Sequence, residues 1–140
     1  MSSLLLDTNA LIRMVTGAPL RPDAAEALAA AAHDGRLWLS AVTTWELGLL
    51  ADRGRTGPAL GIRPDPEGWL RRVTERARLR HLPLGTSAAL AAAFLPGPFH
   101  ADPADRLLIA QARENAMTLV TRDRSILDYA ALGHVRAIAC

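Results

Sequence analysis

A chain of 140 residues, 50% hydrophobic and carrying a formal charge of +2, is long enough for one domain with a buried core. All 16 basic residues are arginine. The missing lysine argues against a P-loop ATPase, a Schiff-base enzyme and phosphotransfer sites that set a lysine beside an aspartate. The lone cysteine, Cys140, forms no intrachain disulfide and fits a reducing cytoplasm. Met1-Ser2-Ser3 has no basic leader, and no apolar run reaches about 18 residues, so neither a signal peptide nor a membrane span is expected and the expected location is the cytoplasm.

In chain order, Leu4-Leu5-Leu6 is wholly apolar and predicts a central buried strand. Asp7-Thr8-Asn9 follows, and a helix opens at Ala10-Leu11-Ile12. Pro22 to Ala32 predicts a helix with proline near its start, ended by Asp34-Gly35. Leu37-Trp38-Leu39-Ser40 is a second strand, and Val42 to Arg53 a long helix closed by Gly54. Gly54 to Pro66, rich in Gly, Pro and Arg, reads as a surface loop. Pro66 to Arg78 is helical, with Trp69, Leu70 and Val73 at helical spacing. Leu79 to Leu84 is a short strand and Thr86 to Leu95 another helix. Beyond Pro96-Gly97-Pro98 come a helix over Pro103 to Asn115, a strand at Leu119-Val120-Thr121, a short helix over Ser125 to Ala131 and a last strand over Val135 to Ile138. Alternating strands and helices predict an α/β fold with a mainly parallel sheet, in a single domain over residues 1–140. Ligands bind such sheets beyond the carboxyl ends of the strands.

Four carboxylates sit at or just past an apolar run, or on the apolar side of a helix: Asp7, Glu46, Asp105 and Asp123. A buried carboxylate is costly unless it is paired or bound to a cation, so several meeting at one sheet end make a metal site. Each has a plainer reading. Asp7 is a competent N-cap, but Thr8 and Asn9 could cap equally well. Glu46 shares a helix side with Val42, Leu49 and Leu50, company that a solvated surface glutamate does not need. Asp102 before Pro103 is a common helix start and reads as structural. Asp105 favours the helix dipole, yet it also lies beside Leu108 and Ile109, and it is preferred to Asp102 as the functional acid. Asp123 has the weakest local argument, since Thr121-Arg122-Asp123-Arg124 also describes an ordinary turn and cap.

Other chemistry has less support. His33, His81, His100 and His134 lack ligand spacing, which argues against zinc. His100, close before Asp102, could touch substrate or be a simple loop histidine. No Gly-x-Ser-x-Gly elbow is present. Trp38, Trp45 and Trp69 read as core or interface anchors rather than a base-stacking platform.

Four blocks occur in order: Leu4-Leu5-Leu6-Asp7-Thr8-Asn9, Ser40-Ala41-Val42-Thr43-Thr44-Trp45-Glu46-Leu47, Asp102-Pro103-Ala104-Asp105-Arg106-Leu107-Leu108-Ile109-Ala110-Gln111-Ala112 and Leu119-Val120-Thr121-Arg122-Asp123. This series resembles the PIN-domain ribonucleases, and most closely the VapC-type toxins of bacterial type II toxin–antitoxin pairs. The resemblance spans nearly the whole chain. It implies a three-layer α/β/α domain with a five-stranded parallel sheet and an acidic pocket binding Mg²⁺ or Mn²⁺. The family's acids match Asp7, Glu46, Asp105 and Asp123, and Thr8 matches the small hydroxyl residue that supports the first. Ala104 departs from the pattern, since nearby members often carry an aromatic there. On this reading Asp7 and Asp105 are the core ligands, and Glu46 and Asp123 bind a second ion or hold water. Hydrolysis is in line, leaving a 5′-phosphate and a 3′-hydroxyl.

Arg13, Arg106, Arg122 and Arg124 lie near the motifs and could contact RNA phosphates or pair with local acids. The resemblance further implies a homodimer and a cognate antitoxin, for which the helices near Pro22 to Ala32 and Val42 to Arg53 could form a groove. The main alternative is a non-catalytic metal-binding interaction module of the same fold. A haloacid-dehalogenase-type phosphatase would want an aspartate where Asn9 stands and a lysine. A flap-type DNA nuclease would be longer.

Overall fold

Three consecutive leucines decide the centre of the sheet. In the computed structural model, which describes residues 1–54, 60–100 and 102–140, Leu4–Leu6 form β1, buried throughout. A strand apolar at every position needs cover on both faces, as a parallel sheet with helices on each side provides. The other strands are β2 (Leu37–Ser40), β3 (Arg80–Leu82), β4 (Thr118–Thr121) and β5 (Arg136–Ala139). They pair only in parallel, in the order β3-β2-β1-β4-β5. The sheet is thus all-parallel, where the sequence had indicated a mainly parallel one.

Seven helices connect and cover these strands among the described residues: α1 (Thr8–Thr16), α2 (Pro22–His33), α3 (Ala41–Asp52), α4 (Pro66–Ala77), α5 (Thr86–Ala93), α6 (Pro103–Glu114) and α7 (Arg124–Ala131). Alternation along β1 assigns the two cores. Leu4 and Leu6 pack with Leu11 of α1, Leu28 of α2 and Trp69 and Val73 of α4. Leu5 packs on the opposite face with Leu108 and Ile109 of α6 and Ile126 and Tyr129 of α7. α5 lies against α6. α3 serves both cores, giving Leu47 to the first and Val42 to the second.

Element boundaries shift by a residue or two from the sequence reading, and Ala139 replaces Val135 in the last strand. Residues 55–59 of the expected Gly54 to Pro66 loop lie outside the described residues. The three tryptophans separate. Trp69 is buried and donates Nε1–H to the Leu60 carbonyl at 2.6 Å. Trp38 is half-buried under the Arg80 guanidinium, 4.5 Å from its ring centroid. Trp45 is 57% exposed and not part of the core. No helix is long and apolar enough to cross a membrane among the described residues.

The strand order positions the site. From β1 the chain winds outward through β2 and β3, then returns to the other side of β1 as β4 and continues to β5. The winding reverses between β1 and β4, the switch point where the crevice at the strand ends opens. Leu6 is in register with Val120, so Asp7 and Thr121 emerge side by side.

Candidate active site

Asp7 leaves the end of β1 and caps α1. It is 7% exposed, and both of its oxygens are engaged. Oδ1 accepts the Ala10 amide at 2.7 Å, and Oδ2 accepts the hydroxyl of Thr121. The fully buried Thr121 hydroxyl also accepts the Asp123 amide at 3.0 Å, so one side chain ties the ends of β1 and β4 together. Asp123 caps α7 through Oδ1, which accepts from the amides of Ser125 and Ile126 at 2.8 and 3.3 Å.

Glu46 projects from α3, half-buried, with Oε1 accepting the Thr8 hydroxyl at 2.6 Å. This corrects the role expected of Thr8. It holds Glu46, and the hydroxyl that supports Asp7 is Thr121. The reason is register: Thr121 directly faces Asp7 across the β1–β4 pair, whereas Thr8 has already turned into α1. Thr121 is the residue that sequence reasoning missed. Its only local signal is a hydroxyl between the last apolar strand residues and Asp123.

Asp105 stands in the first turn of α6, whose cap is Asp102. The Asp102 Oδ1 accepts the Asp105 amide at 3.0 Å, the structural task that the Asp-Pro pair suggested. The Asp105 carboxyl is pushed up to about 7, first by burial and then by the fields of Asp102, Asp123, Glu46 and Asp7. Asp7 is raised by burial, partly offset by its hydrogen bonds, and further by Asp123. Glu46 is also raised by burial and by Asp102 and Asp7, against the Thr8 bond. The four acids singled out in the sequence therefore act on one another at a single place.

Cations are scarce there. Among the described residues no arginine lies within ion-pair distance of Asp7, Glu46, Asp105 or Asp123, and Asp105 has only His100, with Nε2 at 3.2 Å from Oδ2. Three of the four nearby arginines are engaged elsewhere. The Arg106 fork donates to the carbonyls of Ala92, Ala93, Phe99 and His100, because the end of α5 and the following loop offer unpaired acceptors. Arg13 donates to the Pro19 carbonyl, and Arg124 pairs with Asp128 at 3.5 Å. Arg122 is exposed and has no acid within ion-pair distance among the described residues.

Clustered, half-desolvated carboxylates that no arginine pairs with among the described residues are unfavourable on their own. An all-oxygen donor set of this kind suits a hard divalent cation. Fold and site together thus define an α/β domain with an acid pocket at its switch point. Residues 4–132 match the PIN domain, and the chain belongs to the PIN-domain family. It is 35% identical over 94 residues to Ribonuclease VapC22 of Mycobacterium tuberculosis (strain ATCC 25618 / H37Rv), which covers 67% of this chain and 68% of that protein. The fold is shared with VapBC2 from Rickettsia felis bound to a DNA fragment from their promoter (TM-score 0.66, 15% identity, 98% of each chain). It is also shared with a toxin–antitoxin complex from Klebsiella pneumoniae (TM-score 0.64, 20% identity, 97% of this chain and 96% of that one).

Proposed function

We propose that this protein is a metal-dependent endoribonuclease, the toxin of a bacterial toxin–antitoxin pair, hydrolysing RNA phosphodiester bonds at Asp7, Glu46, Asp105 and Asp123. The observation that carries this is the convergence of four acids at the β1–β4 switch point, with no arginine within ion-pair distance of them among the described residues. Asp7 and Asp105 would hold Mg²⁺ or Mn²⁺, with Glu46 and Asp123 completing the site. Bound there, the cation supplies positive charge against the phosphate and lowers the pKa of attacking water. The chain supplies placement. Thr121 and the Ala10 amide fix the Asp7 carboxylate, Thr8 fixes Glu46, and the start of α7 fixes Asp123. Of the arginines first considered for RNA phosphate, Arg122 is exposed and has no acid within ion-pair distance among the described residues.

Partners follow the same reading. An apolar groove of about 910 Å³ lies between α1, α2 and α4, floored by Val15, Leu28 and Val73 and edged by Arg72, Arg76 and Arg78. It suits an antitoxin segment with apolar anchors and acidic flanks. It involves α2, one of the two helices considered for an antitoxin groove, together with α1 and α4. Leu90 and Phe94, 64% and 78% exposed and one turn apart, support a homodimer contact. The domain spans residues 1–140.

The test is cleavage of end-labelled total RNA by the purified, antitoxin-free protein in EDTA, Mg²⁺ or Mn²⁺, beside Asp7→Asn. Metal-dependent cutting lost in a folded variant is expected. A folded wild type that cuts nothing with either metal refutes the ribonuclease reading and favours the interaction module.

A further inference from the structure

We infer that His100 is a substrate-contacting residue whose Nε2–H donates to a phosphate oxygen of RNA at the acid pocket, and that it is not a ligand of the metal. The inference rests on the ribonuclease reading and adds to it a residue outside the four acids.

The spacing alone suggests something else. One ligand-type atom from each of His100, Asp105 and Asp123 lies within 4.8 Å of the others, as in a mixed nitrogen–oxygen cation site. The tautomer argues against that. The backbone N–H of Asp102 donates to Nδ1 of His100 at 3.1 Å. A peptide N–H can only donate, so Nδ1 holds the lone pair and the ring proton is on Nε2. A metal-binding histidine has the reverse arrangement: the nitrogen facing the metal carries the lone pair, and the other donates its N–H to a carboxylate or carbonyl. His100 presents a proton to the pocket.

That proton is well placed to be used. The His100 carbonyl accepts from Arg106 at 3.4 Å, and the imidazole sits 4.2 Å, centroid to centroid, from the Phe99 ring. Phe99 in turn rests 4.8 Å from Tyr129 of α7. Backbone and ring are thus held, while the side chain stays 37% exposed and open to a ligand. Arg106, drawn into this scaffold, becomes a positioning residue for the loop. Nε2–H faces Asp105 Oδ2 at 3.2 Å, so a phosphate oxygen entering beside Asp105 comes within reach of the same donor.

The experiment uses the full chain, His100→Ala and His100→Gln, with Mn²⁺ and an end-labelled RNA that the wild type cuts. Mn²⁺ affinity from EPR titration should be retained in His100→Gln, whose amide N–H still reaches Asp105 Oδ2, and any loss in His100→Ala is that of a hydrogen bond to a ligand and not of a ligand itself. Pulsed EPR of the wild-type Mn²⁺ complex should show no directly bound ¹⁴N. His100→Ala should lower kcat/KM about 10- to 100-fold, the worth of one hydrogen bond to a charged group. Glutamine should restore most of it, because its amide N–H reaches the position of Nε2. A ¹⁴N coupling with weakened Mn²⁺ binding in the alanine variant overturns the inference in favour of ligation. Unchanged kcat/KM overturns it in favour of a bystander. A wild type that binds Mn²⁺ and cuts no RNA overturns the ribonuclease reading as well, whereas an alanine variant that cuts normally overturns this inference alone.

Discussion

The acid pocket and the groove between α1, α2 and α4 are both unfinished surfaces, built in opposite ways. In the pocket Asp7, Glu46 and Asp123 are tied by hydroxyls or amides and Asp105 faces the His100 ring, and the unfavourable part is electrostatic. In the groove the floor is buried core, Leu28 and Val73 among it, and the rim carries arginines. The difference teaches what each lacks. A rigid cluster of like charges is completed by a small hard cation, and an apolar trough by a larger amphipathic segment.

The comparison breaks first at Asp105. Asp105→Asn is expected to cut ribonuclease activity about 10²-fold or more, while leaving antitoxin capture intact. Single-turnover cleavage and co-purification measure the two arms. Loss of both, in a protein with native circular dichroism, would mean that pocket and groove are not independent. The converse variant is Ala29→Trp, which fills the groove from its exposed α2 wall. Neutralisation by the antitoxin should weaken about 10-fold or more with cleavage unchanged. Equal neutralisation would remove the groove as its seat.

Beneath the pocket, Gln111 is fully buried, accepting from Ser40 Oγ at 2.5 Å and donating to the Pro83 carbonyl at 3.2 Å. Gln111→Ala should cost about 2–3 kcal/mol in urea unfolding, because it strands buried Ser40 and leaves a cavity. A cost below about 0.5 kcal/mol would show the network to be dispensable.

Asp7, Glu46 and Asp105 are all raised in the folded chain, Asp105 from 3.8 to about 7. Between those values the folded state binds more protons than the unfolded one. Stability of the metal-free protein is therefore greatest below about pH 4 as far as these groups decide it, and falls as pH rises through 7. In EDTA, Tm should drop by about 5 °C from pH 5 to pH 8, with Mn²⁺ restoring it most at pH 8 and Asp105→Asn flattening the profile. A Tm that climbs over that interval would contradict the mutual repulsion of these acids.

The smallest expected effects concern the two arginines after β4. Arg122→Ala should reduce the slope of RNA affinity against salt by about one, whereas Arg124→Ala, already paired with Asp128, should change it little. Equal effects would return Arg124 to the phosphate path.

Much of this arrangement is legible in the sequence. Leu4-Leu5-Leu6 has no polar position to turn toward water, so a buried central strand was its only economical fate. Asp7, Glu46, Asp105 and Asp123 each broke an apolar context, which marked them individually. α3 was less legible as to which side it buries. It packs into both cores, so its apolar residues circle the helix instead of forming one stripe. Trp45 shows the limit of composition, since an aromatic residue beside a core position is still free to face solvent.

The sequence by itself determined the alternation of strands and helices, the four acids and the absence of lysine chemistry, because these depend on residue identity and local period. Tertiary structure alone decided the strand order, the register that sets Thr121 against Asp7, the diversion of Arg106 to carbonyls and the Asp102 amide on Nδ1 of His100. Each of these is a contact between residues far apart in the chain, or a choice among several local partners. Hydrogen bonds of that kind are selected by which groups burial leaves unsatisfied, and no stretch of sequence encodes that alone.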